Sequence, residues 1–175
     1  MASVVALAGC AATGALFSPP EAPAPGAAQL VVYRTSRIGG TAGTWVPTRL
    51  EIEGIPTKML PADSFVVLEV PAGDVRLSAT DLVDLRFDDK NKMMLDERVS
   101  GGEIAYFRIL SIFGAACEQK ADDGVISHAT QHPRRDWAQT TCFQRVPEAV
   151  ALKELKGLRQ ADQPGDASSR PLNAP

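Results

Sequence analysis

From Gln29 onward the chain is broken into short apolar runs, separated by glycine, proline and acidic turns roughly every ten residues. Leu30-Val31-Val32-Tyr33-Arg34 is β-branched and aromatic, and Gly39-Gly40 and Gly43 close it. In Trp45–Glu53, Leu50 and Ile52 alternate with Arg49, Glu51 and Glu53, a period of two that buries one face of a strand. Gly54 marks a turn, with Thr57–Leu60 as hairpin partner. Ser64–Val70, Val75–Ala79, Met93–Val99 and Ile104–Leu110 complete the set. Pro71-Ala72-Gly73-Asp74 and Gly101-Gly102 supply turn chemistry between them. Short strands so spaced predict a mainly β chain: an antiparallel β-sandwich of about seven strands.

Two segments interrupt the pattern. Residues 111–142 read as a long loop insertion, polar in its second half. Pro147–Arg159 reads as a single C-terminal helix. Pro147 suits a first helical position, and Glu148 suits the positive end of the helix dipole. Ala151, Leu155 and Leu158 share a face, away from Lys153, Glu154 and Lys156. Residues 161–175, with Pro164, Gly165 and Pro171, read as a disordered tail.

Composition narrows the function classes. The 175 residues carry a net charge of −3 and 6% aromatics, so neither a basic footprint nor a base-stacking surface for nucleic acid is expected. No apolar run approaches the roughly 18 residues of a spanning helix, so contact with a membrane would have to come through an anchor.

An anchor is what the first ten residues suggest. Leu7-Ala8-Gly9-Cys10 resembles the lipobox of bacterial lipoproteins: an aliphatic residue, two small residues and a cysteine. Small side chains suit a signal peptidase, and the Cys10 thiolate is the nucleophile that accepts a diacylglycerol. The resemblance implies cleavage after Gly9 and lipidation of Cys10. No charged n-region precedes Cys10, which suggests that Met1 lies inside a longer signal. Residues 11–28, rich in Ala, Gly and Pro, read as a flexible tether. Ala11 after the cysteine resembles outer-membrane sorting, so the expected address is the periplasmic face of the outer membrane.

Tyr33-Arg34-Thr35-Ser36-Arg37, Pro71-Ala72-Gly73 and Gly102-Glu103-Ile104-Ala105-Tyr106-Phe107-Arg108 occur in that order across about half the chain. Together with the lipobox, they resemble a family of small bacterial lipoproteins whose shared domain has no known function. The resemblance implies a sandwich-like fold and no activity. On this reading Gly73 supplies a positive φ at a tight turn, and Tyr106 and Phe107 fill the space between sheets.

The remaining chemistry-bearing residues weigh against catalysis. Cys117 and Cys142, an even pair in an exported chain, read as a disulfide pinning the 111–142 loop. Closing about 26 residues would contribute roughly 3.5 kcal/mol in the chain-entropy description. His128 and His132 stand four apart, a zinc spacing on a helix, but Pro133 disfavours helix there, so no metal is expected. Asp81, Asp84, Asp88 and Asp89 lack the alternation and glycine of a calcium loop and read as a solvated hairpin. None of Ser64, Ser78 and Ser111 sits in a Gly-x-Ser-x-Gly elbow. No catalytic residue and no cofactor are therefore expected.

Arg134 and Arg135 with Trp137 form the best candidate contact patch, since arginine and tryptophan dominate interface hot spots. The leading expectation is a lipid-anchored, non-enzymatic module that binds or scaffolds another envelope protein through the pinned loop. It predicts that deleting residues 124–135 leaves the fold intact and abolishes a partner contact. The alternatives are a metal-dependent or hydrolytic envelope enzyme using His128 and His132, and a small apolar ligand carrier.

Overall fold

The structure of the chain, a computed structural model, describes residues 12–35, 47–83, 86–113, 124–130 and 139–161. They form two facing sheets and one helix. The strands are β1 (Ala27–Arg34), β2 (Thr48–Ile52), β3 (Ile55–Leu60), β4 (Ser64–Pro71), β5 (Gly73–Val83), β6 (Arg86–Val99), β7 (Ile104–Phe113), β8 (Ser127–Thr130), β9 (Gln139–Val146) and β10 (Arg159–Gln160). The helix, α1 (Glu148–Leu155), lies between β9 and β10. One sheet has the order β10-β4-β1-β7-β9-β8, and the other β3-β2-β5-β6.

The β-sandwich expected from the strand pattern is the observed fold. The six-stranded sheet is mixed, however: β1 runs parallel to β7 and β10 parallel to β4, whereas the other pairs are antiparallel. Parallel strands are buried on both faces, and β1 obeys that rule. Leu30, Val31, Val32 and Tyr33 all lie at zero exposure.

Alternation then sorts the side chains into two layers. Leu30, Val32, Val66, Phe107, Ile109 and Phe143 point inward and meet Leu50, Leu77, Ala79, Met93 and Leu95 of the smaller sheet. Val31, Tyr33, Phe65, Tyr106 and Val146 point outward and are covered by Ala151, Leu155 and Leu158. The helical face read from the sequence is thus the buried one. Tyr106, expected between the sheets, lies instead in this outer layer, one residue out of phase with Phe107.

Several boundaries differ from the sequence pattern. The helix ends at Leu155, not Arg159, because Gly157 adopts φ +85° and turns the chain into β10. The expected loop at 111–142 contains the end of β7, the edge strand β8 and the start of β9. Deleting residues 124–135 would therefore remove β8, which pairs with β9 from Ser127↔Arg145 to Thr130↔Cys142. Nor is the acidic stretch a simple hairpin loop: β5 continues through Asp81 to Val83, and β6 resumes at Arg86. Gly73, at φ +137°, has the backbone that its turn required.

The segment expected as a free tether is docked along part of its length. Phe17 stacks edge-on against Phe65 at 5.2 Å, in the outer apolar layer. The Phe17 amide donates to the Leu158 carbonyl, and the Gln160 amide donates to Ala15. One aromatic in an Ala/Pro-rich stretch supplies the apolar area that fastens it.

Candidate functional site

One end of the sandwich is built differently from the other. β1, β3, β5, β7 and β8 end there, and β2, β4, β6 and β9 begin there. The register fixes this arrangement: Arg34 lies opposite both Ser64 and Ile109, Thr48 opposite Asp81, and Phe113 opposite Gln139. The long connections 36–46, 114–123 and 131–138 leave from this pole, as do the short turns at 61–63 and 84–85. At the opposite pole the strands are joined by tight turns, at 53–54, 72 and 100–103.

At this pole the inner faces of the strands change from apolar to polar. Arg34 follows Leu30 and Val32 on the inward face of β1 and is 4% exposed. Asp81 follows Leu77 and Ala79 on β5 and is 8% exposed. Thr48 Oγ1 donates to Asp81 Oδ1 at 2.5 Å, and Thr141 Oγ1 donates to Asp81 Oδ2 at 2.9 Å. Asp81 thereby joins β2 and β5 of one sheet to β9 of the other. Burial lowers the Arg34 pKa below its ordinary value, opposed by the nearby carboxylates of Asp81 and Asp63. Asp63 sits in the β3–β4 turn at φ +54°, a left-handed conformation that aspartate tolerates better than most residues.

A second polar cluster lies on the outer face of the smaller sheet. Glu51, 3% exposed, meets Lys92 at 2.5 Å, Arg49 at 2.9 Å and the Ser78 hydroxyl at 3.2 Å. Burial opposes ionisation of Glu51, but its cationic and hydroxyl partners outweigh it and hold the carboxyl below its ordinary value. Farther along that face, Glu53, Asp74, Arg76, Asp96 and Arg98 line an open groove of about 440 Å³. Its Arg76–Asp96 pair, 2.6 Å apart, is solvent-exposed and of mixed charge. At the sandwich flank, Arg145 binds Glu97 at 2.8 Å and also contacts Glu103, while Ser127 bonds Glu97. That network ties β8 and β9 to β6 and to the turn before β7.

The sequence-predicted residues divide unevenly over this frame. Arg134, Arg135 and Trp137 lie outside the described residues, between β8 and β9, on a connection that starts and finishes at the polar pole. Cys10, Cys117, His132 and Asp84 also lie outside them. Cys142 is fully buried on β9 opposite Leu110, and its sulfur is in a disulfide. His128 is exposed on β8 opposite Gln144, on a regular strand and not on a loop. Ser64 Oγ donates to the Pro61 carbonyl at 2.7 Å, which is turn chemistry, and Ser78 is bound to Glu51. Among the described residues no group of three or more His, Cys, Asp or Glu side chains could hold a metal ion. Nor is any described helix long and apolar enough to cross a membrane.

Sequence pattern alone did not reveal the role of Arg34 or the partnership of Thr48 and Thr141 with Asp81. The available signal was a charged residue at the inward phase of an otherwise apolar strand, at Arg34 after Leu30 and Val32. The space between the sheets is occupied by aliphatic and aromatic side chains, of which Leu30, Leu50, Leu77 and Phe107 have zero exposure. Compared with known proteins, the chain matches no family model, no curated protein and no solved structure.

Proposed function

We propose that this protein is a lipid-anchored binding or scaffolding module of the bacterial envelope, without catalytic activity, whose recognition surface is the polar pole. One observation carries the reading. Three long inter-strand connections, 36–46, 114–123 and 131–138, leave the pole that holds buried Arg34 and Asp81, whereas the other pole has tight turns at 53–54, 72 and 100–103. A rigid sandwich presenting clustered connections at one end is a common platform for recognition. The strands flanking residues 131–138 finish and start at that pole, and the arginine and tryptophan types in this segment, Arg134, Arg135 and Trp137, anchor interfaces.

The lipobox quartet at Cys10 supports the anchor and the envelope address. In that oxidising compartment the buried sulfur of Cys142 would pair with Cys117, fastening the 114–123 connection to β9. The test leaves β8 intact, because that strand belongs to the sheet. The triple variant Arg134→Ala, Arg135→Ala, Trp137→Ala keeps the parent's thermal midpoint and loses a partner that the parent retains by cross-linking in intact cells. Identical cross-linked partners for parent and variant would remove this surface from the proposal.

A further inference from the structure

The docked N-terminal segment limits how the domain can sit if an anchor is attached at Cys10. Gly14 donates its amide to Gln160, Leu16 bridges Arg159 in antiparallel fashion, and Phe17 is fastened to Phe65. Only Ala11, Ala12 and Thr13 separate Cys10 from Gly14. Four peptide steps span at most about 14 Å when fully extended. The lipid attachment point is therefore confined to the β10 flank of the sandwich, and the domain is not free on an 18-residue tether.

That flank has the composition of a surface that meets a bilayer. Leu16 is 58% exposed although it is fastened to β10. Lys153 and Lys156 are exposed at the end of α1, and Arg159 is exposed beside them, its guanidinium donating to the Gly14 carbonyl at 3.1 Å. The two carboxylates of α1 are engaged elsewhere. Glu154 faces inward to Arg108 and Tyr33, and Glu148 stands at the far end of the helix near Tyr106. Cations around an exposed leucine complement the phosphates of anionic headgroups at an interface.

We infer that the β10–α1 flank, with Leu16, Lys153, Lys156 and Arg159, lies against the anionic phospholipid surface that holds the anchor. The inference rests on lipidation at Cys10 as proposed above. It adds that the sandwich lies on its side, with β10 paired to Ser64 and Phe65 and hence the polar pole close to the membrane.

The test bypasses the cell's own lipidation. The full chain, with its other cysteines disulfide-bonded, is coupled through Cys10 to a maleimide lipid in vesicles of phosphatidylcholine, phosphatidylglycerol and dibrominated phosphatidylcholine. Two variants add a fluorophore at exposed positions: Leu16→Trp on the flank, and Met94→Trp on the outer face of the smaller sheet, where Met94 is 58% exposed. After subtraction of the parent's emission, the lipid bromines quench the Leu16→Trp signal several-fold more than the Met94→Trp signal. Adding Lys153→Glu, Lys156→Glu and Arg159→Glu to the Leu16→Trp variant removes most of that difference. Equal quenching of the two variants, or none in either at complete coupling, overturns the side-on placement. Acylation of native Cys10 is read separately by mass, so failure of the anchor and failure of the flank are distinguishable.

Discussion

Arg108 and Glu154 meet at 2.6 Å beneath α1, with Arg108 at zero exposure in the middle of a six-stranded sheet. The same carboxylate accepts the Tyr33 hydroxyl at 2.6 Å, and Arg108 Nε donates to Gln144 at 2.8 Å. A full charge on the outer face of β7 is thus matched by a carboxylate on the helix that covers it. The helix is held by charge as well as by Ala151 and Leu155. Removing one partner of a buried pair costs more than the pair contributes, because the other charge is left desolvated. Glu154→Ala is expected to lose roughly 3–5 kcal/mol in urea unfolding. Arg108→Met with Glu154→Leu should recover much of that loss. A Glu154→Ala variant as stable as the parent would mean that the pair is solvated.

The N-terminal segment should behave as part of the domain. Phe17→Ala removes the ring packed on Phe65 and is expected to cost about 2 kcal/mol, less than a fully buried ring would. Its specific signature is in hydrogen exchange. Protection of the Phe17 and Gln160 amides, which bond Leu158 and Ala15, drops sharply, while β1 and β7 amides keep theirs. Unchanged protection at both positions would show that Phe17 is not what holds the segment.

The polar pole carries its own energetic signature. Asp81→Ala leaves the buried Thr48 and Thr141 hydroxyls without their shared carboxylate and removes a negative charge near Arg34, at a cost of roughly 3 kcal/mol. Asp81→Asn, which keeps an acceptor but removes the charge, should fall between. Combining Asp81→Ala with Arg34→Met should be less damaging than the sum of the two single changes. Strict additivity in that cycle would contradict coupling between Arg34 and Asp81.

Glu51 gives a pH dependence of definite sign. Its folded pKa lies below the ordinary 4.5, so its contribution is present above that value and is lost as pH falls through the folded pKa. Unfolding free energy is expected to decline below about pH 4.5, and Glu51→Gln should flatten that decline. A parent and variant with parallel acid limbs would show that Glu51 titrates alike in both states.

The extent to which this fold was legible follows from which forces act locally. Period-two alternation exposed most strands, and the turn residues Gly54, Gly73 and Gly102 placed their ends, because these are nearest-neighbour effects. The parallel pairing of β1 with β7 was hidden, since the two strands are far apart in sequence and pair only through the fold. β8 was missed because Ser127-His128-Ala129-Thr130 is a short, polar edge, specified by its pairing with β9 and not by its composition. The docking of residues 14–17 was masked by the prolines around Phe17. Arg134, Arg135 and Trp137, singled out in the sequence, lie outside the described residues. The Arg34–Asp81 floor depends on contacts between the two sheets, which no single strand's pattern carries.

The anchor is the claim on which address, orientation and partner class all depend. Its most direct test is peptide and intact mass spectrometry of the native protein, extracted from membranes without reductant. The expected result is a mature N-terminus at Cys10 carrying diacylglyceryl and acyl groups, together with a Cys117–Cys142 linked peptide. An unmodified Cys10 thiol still preceded by Gly9, with Cys117 and Cys142 reduced, would contradict it.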